Sequence, residues 1–201
     1  VDSFWSISYK RRIIMPITQA IMSSISTGSS GPSVLPDPGG WYNAVSNSTN
    51  DLKYKIYSGY HNESINLSGL TLTEESAGPP SLDTYEGPRT WMFTGYMQIP
   101  TDGNYVFRCT ADDGAYVWIG SNAYDGSYNI GNALINNGGL HSSNAVDSSL
   151  ISMRANVWYP IRILFGNDSG GEFLSFQYTV NSASWATPTY AHNSATAEGF
   201  N

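Results

Sequence analysis

The chain has 201 residues, enough for one domain with a real core plus an appendage. Only 12% of residues are charged and 13% are aromatic, with fourteen Tyr and six Trp, a balance that suits a β-rich protein with long polar loops. The net charge of −7 argues against sequence-independent nucleic-acid binding, no run of about 20 apolar residues is present to span a membrane, and the single Cys109 excludes a disulfide framework or a cysteine zinc site.

Val1 to Gly40 differs from the rest. It carries three of the nine basic residues, Lys10, Arg11 and Arg12, then the apolar run Ile13, Ile14, Met15, with Pro16 interrupting any helix. A Gly/Ser/Pro stretch follows, from Thr27 to Gly40, with linker composition. Apolar residues in so short a segment need a surface to cover them. The segment is therefore expected to be an arm that docks on a partner subunit; the plain alternatives are a floppy terminus or one extra strand on the core. No secretory leader is visible, and the chain begins at Val1 without Met, which leaves processing open.

Residues 41–201 read as one domain of successive strands. Leu52 to Tyr57 alternates with period two, and Thr90 to Ile99 is a long strand. Pro100-Thr101-Asp102-Gly103 reads as a hairpin turn into Asn104 to Thr110. Ala115 to Ile119, Leu150 to Met153, Trp158 to Phe165 and Phe173 to Val180 complete the set. Ser121 to Ser149 has no clear periodicity and is expected to be a long, functional or disordered loop. Seven or more strands predict an all-β, antiparallel sandwich, jelly-roll-like, with long loops.

Two stretches carry chemistry. Asp112 and Asp113, followed by Gly114, lie between two apolar strands, with no Lys or Arg beside them in sequence. Two convergent carboxylates suit a hard cation bound by oxygen, calcium before magnesium; the plain alternative is a solvated hairpin turn. Phe165 to Glu172 is a small-residue loop offering the Asn167 amide oxygen, the Asp168 carboxylate and carbonyls freed by glycine geometry, and alone it is a generic polar loop. Its spacing is not that of an EF-hand. His61, His141 and His192 are scattered, and Cys109 reads as core filler. Glu74, Glu75 and Glu86 are the nearest approach to a glycosidase carboxylate pair, but they read as solvated surface, so no enzyme is expected.

Met92 to Phe107, then Ala111-Asp112-Asp113-Gly114-Ala115 to Gly120, together resemble the centre of the anthrax protective-antigen-type carbohydrate-binding domain and of its GLEYA and flocculin adhesin relatives. Trp158-Tyr159-Pro160-Ile161-Arg162-Ile163 is similar to a later strand of the same family, and the resemblance spans roughly 41–187. It implies a β-sandwich in which a cis peptide joins the two aspartates and both bind one Ca2+. By position, Asn167 would add a side-chain ligand and Ser169 and Gly171 backbone carbonyls. Vicinal hydroxyls of a sugar would complete the calcium shell beside Asp112, Asp113, Asn167 and Asp168. Two departures stand out. The cysteines of the secreted fungal adhesins are missing, and the loop after Asn167 is glycine-rich without a bulky aromatic, so sugar preference does not carry over.

The resulting expectation is a calcium-dependent glycan-binding module on a larger extracellular assembly, such as a virus or phage particle or a surface filament. The alternative is a purely structural component of such an assembly. The expected partners are a cell-surface glycan or polysaccharide and, through Val1 to Gly40, other subunits, with an extracellular or virion-surface location. Tyr124, Tyr128, Trp158 and Tyr178 are candidate sugar-stacking platforms that read equally as core. Asn47, Asn62, Asn66 and Asn167 sit in Asn-x-Ser/Thr sequons, and a glycan on Asn167 would conflict with its role as a ligand.

Overall fold

The computed structural model describes residues 33–34, 50–84 and 87–192. The expected arm lies outside these residues except at Ser33–Val34. The strands are β1 (Ser33–Val34), β2 (Leu52–Ser58), β3 (Thr71–Gly78), β4 (Leu82–Thr84), β5 (Arg89–Gln98), β6 (Gly103–Asp112), β7 (Ala115–Ile119), β8 (Ile135–Asn137), β9 (Asn144–Asp147), β10 (Ile151–Met153), β11 (Tyr159–Asn167), β12 (Glu172–Val180) and β13 (Thr189–Ala191). One sheet runs β1-β10-β6-β12-β4, with β9 also on β6; the other runs β3-β2-β5-β11-β7-β8, with β13 also on β5. Pairing is antiparallel throughout the described residues except between β1 and β10. This is the antiparallel β-sandwich that the strand pattern predicts.

Alternation decides which side chains meet. On β6, Tyr105, Phe107, Cys109 and Ala111 are buried, while Asn104, Val106, Arg108 and Thr110 face outward. Leu174, Phe176 and Tyr178 of β12 join them, and Phe107 stacks on Phe176 at 5.5 Å. Trp91, Phe93 and Met97 of β5 and Ile161, Ile163 and Phe165 of β11 close the core from the opposite sheet. Cys109 is core filler as expected, and burial pushes its thiol up to about 12.

The β5–β11–β7 sheet is apolar on both faces. Its outer side buries Met92, Tyr96, Tyr116, Trp118 and Leu164 in a second cluster. Segments from 57–67 and 123–133 cover that cluster, which is why β11 is buried at every position.

Two expectations need correction, and one strand was not expected. Pro100 to Gly103 is not a hairpin turn, because β5 and β6 lie in different sheets and do not pair with each other. The Asp-Gly turn instead carries the chain across the sandwich, since both strands already have apolar partners on each side. The stretch expected to be one loop, Ser121 to Ser149, holds two short 3-10 turns, Gly120–Ala123 and Ile130–Asn132, and the strands β8 and β9. Asn129 and Asn132 cap the second turn reciprocally, through side-chain hydrogen bonds of 3.1 and 2.9 Å. β3 is a strand without hydrophobic alternation; seven of its eight residues are exposed, and it is held by its ladder to β2.

Candidate functional site

Two connections cross between the sheets at one end of the sandwich. The first runs from the end of β6 through Asp112-Asp113-Gly114 into β7. The second runs from the end of β11 at Asn167 through 168–171 into β12. Register sets them side by side, because Asp112 is opposite Phe173 on β12 and Ala115 is opposite Phe165 on β11. The hairpin alternative for the Asp-Gly turn is therefore corrected: it is an inter-sheet crossover.

The crossovers are tied to each other. Gly166 N–H donates to the Gly114 carbonyl at 2.9 Å, and Asp168 N–H donates to Asp113 Oδ2 at 3.0 Å. Gly114 and Gly166 permit this approach. A methyl at Gly114 would come within 2.8 Å of the Tyr60 hydroxyl, and one at Gly166 would overlap the His61 ring.

A third segment, 137–144, closes over the aspartates. His141 N–H donates to Asp113 Oδ1 at 2.9 Å, and Ser143 N–H donates to Asp112 Oδ2 at 3.0 Å. Asn137 fixes the segment: its Nδ2 donates to the Cys109 carbonyl at 3.3 Å and to the Asn144 carbonyl at 3.0 Å, and its Oδ1 accepts from Asn144 Nδ2 at 2.9 Å. The Asp112–Asp113 peptide is cis. Asp113 is only 7% exposed, and neither carboxylate forms an ion pair among the described residues. Asn167 is fully buried, held by its ladder position opposite Arg89. Ser169 and Gly171 are exposed in the same crossover and do not hydrogen-bond to the aspartates.

These residues fit a hard cation chemically. The donors are carboxylate, amide and carbonyl oxygens, the set calcium prefers. Two adjacent negative charges, one of them buried, lack a cationic side chain and are steered by three backbone N–H groups. No group of three or more His, Cys, Asp or Glu residues among the described residues could hold a metal, so a transition-metal centre has no such donor set here.

Beside these loops lies a group that the sequence reading missed. The hydroxyls of Tyr60 and Tyr116 both donate to the Glu63 carboxylate. Burial opposes ionisation of Glu63, but the two phenol bonds, the nearby His61 and a backbone bond from Gly139 outweigh it and hold the carboxyl below its ordinary range. Burial first, then the bond to Glu63, pushes both phenols up. His61 is 3% exposed, its ring 4.5 Å from that of Tyr60, with no hydrogen bond to either ring nitrogen, and burial drives its imidazole down. The one signal for this cluster was the Gly138-Gly139 doublet, where a side chain at 138 would overlap Tyr116 and Glu63.

The other candidates fall elsewhere. Tyr178 is in the main core, and Tyr124, Tyr128 and Trp158 pack partly buried on the second cluster. Glu74 accepts from the Tyr54 hydroxyl at 3.1 Å, Glu75 pairs with Lys55 at 3.5 Å, and Glu86 lies outside the described residues. The sequon at Asn167 is inaccessible by burial, those at Asn62 and Asn66 are exposed, and Asn47 lies outside the described residues.

The fold and the crossover pair together define an antiparallel β-sandwich with two inter-sheet crossovers side by side at one end. Residues 89–180 match the GLEYA domain. Among solved structures, the chain resembles an Epithelial Adhesin 9 A domain from Candida glabrata, subtype-switched and in complex with β-lactose. That match has a TM-score of 0.61 and 16% identity, and covers 85% of this chain and 97% of the adhesin domain. It resembles a PA14 sugar-binding domain from an RTX adhesin with a TM-score of 0.53 and 12% identity, covering 71% and 98% of the two chains. It also resembles an anti-sigma factor domain-containing protein from Clostridium clariflavum, with a TM-score of 0.56 and 17% identity over 79% of this chain; there it spans about half, 53%, of the other protein. No curated protein matches the chain in sequence.

Proposed function

We propose that the domain is a calcium-dependent glycan-binding module that serves attachment. One observation carries the reading: the Asp112–Asp113 pair, partly buried and without a cationic partner, is steered by backbone donors where two inter-sheet crossovers meet. Asp112, Asp113 and Asn167 would hold the ion through side chains, and Ser169 and Gly171 through carbonyls. Bound calcium would supply open coordination positions for vicinal sugar hydroxyls, with Asp168 at the rim. The domain's likeness to adhesin domains solved with β-lactose and with Galb1-3GlcNAc supports the ligand class. Display on a larger extracellular assembly, through the apolar and basic segment Val1 to Gly40, is the second part of the proposal.

Calorimetric titration of calcium into chelator-stripped protein tests the first part. Binding by the wild type and none by Asp112→Asn/Asp113→Asn is expected, followed by calcium-dependent signals on a glycan array. Absence of binding by both proteins overturns the calcium reading and leaves the structural role. Deleting Val1 to Gly40 tests the second part: incorporation into the assembly should be lost and sugar binding kept.

A further inference from the structure

A second site lies on the outer face of the β3-β2-β5-β11-β7-β8 sheet and shares no residue with the aspartate crossovers. It is a cavity of about 620 Å³, in the size range of small-molecule sites. Register explains how it forms. Lys53 is opposite Thr94, and Thr94 is opposite Arg162, so the three share one row and one face of the sheet. The next row places Lys55 opposite Met92.

The cations in this cavity are not equivalent. Arg162 is committed: its Nη2 donates to Asp125 Oδ1 at 2.5 Å, its Nε donates to the Ala123 carbonyl at 2.8 Å, and its guanidinium lies 4.1 Å from the centre of the Tyr128 ring. Lys55 pairs with Glu75. The Lys53 ammonium makes no ion pair among the described residues, and the one acid lining the cavity, Glu75, is taken by Lys55. A half-buried lysine without a counter-charge therefore lines a partly open cavity of a protein whose net charge is −7. The walls add Tyr57, whose ring can pack against the C–H face of a pyranose, and Asn66 and Thr94, which can bond hydroxyls, while a face of Tyr128 is already covered by Arg162.

We infer that this cavity binds a carboxylate-bearing sugar unit, of uronic acid type, with its carboxylate on Lys53 and its ring against Tyr57. Cation, aromatic face and neutral hydrogen-bonding groups are each required by one part of such a ligand. A simple inorganic anion would leave most of the cavity unfilled, and a neutral sugar would leave Lys53 unmatched. The site needs no metal, so it stands or falls separately from the calcium reading.

Ligand-observed NMR titration with digalacturonate and its neutral digalactoside counterpart, on the full chain with chelator present, is the test. Saturable digalacturonate binding is expected, weakened at least tenfold for the neutral disaccharide and at least tenfold by Lys53→Met, which keeps the aliphatic stem. Asp112→Asn/Asp113→Asn should bind it like the wild type. A thermal melt of Lys53→Met, unchanged from wild type, separates loss of the site from loss of the fold. Equal binding of the neutral disaccharide, displacement by inorganic phosphate at similar concentration, unaltered binding by a folded Lys53→Met, or no saturation would each overturn the inference.

Discussion

His61 shows how one residue can carry the tension between burial and polarity. Its ring packs against Tyr60 and Gly166 with both nitrogens buried and unbonded, so the native state holds it neutral. Its folded pKa lies below the ordinary value of 6.5. The unfolded chain therefore binds the extra proton first. The contribution is fully present above about pH 6.5 and is lost as pH falls toward the folded value, with a slope of up to about 1.4 kcal/mol per pH unit. Urea midpoints of chelator-treated protein at pH 7.5 and 5.5 should show a larger drop for the wild type than for His61→Phe. Gly166→Ala pushes a methyl into the same ring and should cost about 1–3 kcal/mol in the same assay. Cys109, buried with its thiol raised to about 12, should resist a disulfide-exchange reagent at pH 8 in the native state and react at once in denaturant.

At the scale of elements, the 3-10 segment around 120–133 is fastened to the sheet by one buried cation. Arg162 of β11 is 2% exposed and reaches Asp125 and the Ala123 carbonyl from beneath. Asp125→Ala leaves that charge uncompensated, and a loss of about 3 kcal/mol is expected by denaturant unfolding, with the earliest hydrogen-exchange change at 121–133. Arg162 looked in the sequence like one more position of an apolar strand; nothing local announced that its partner lies in the loop 37 residues earlier. The strands β2, β5, β6, β7, β11 and β12 were legible because alternation or continuous hydrophobicity records which face is buried. β3 was not, since a strand exposed on both faces carries no such record. Asp112 and Asp113 were conspicuous as adjacent acids between apolar strands. Their donors, the amides of His141 and Ser143, lie about thirty residues on and carry no side-chain signature. The same blindness to sheet membership turned a sandwich crossing at Pro100 to Gly103 into an expected hairpin.

At the scale of the molecule, acidity and surface use go together. Only six Lys or Arg lie among the described residues, and three of them line the outer-face cavity. The other three are Arg89, Arg108 and Arg154, and acids outnumber cations among the described residues, a balance unsuited to binding nucleic acid. The exposed margin of β3 then acquires a meaning. Among the described residues it pairs only with β2, so its far side presents a row of unused backbone donors and acceptors to any neighbour. Glu74 and Glu75 sit in the middle of that row. Those two charges oppose pairing of this edge with the same edge of another copy. Glu74→Gln/Glu75→Gln should consequently drive concentration-dependent self-association, visible by light scattering, with the monomer's fold unaltered by circular dichroism. Glu74 and Glu75, on an exposed edge strand, would thus guard against aggregation between copies.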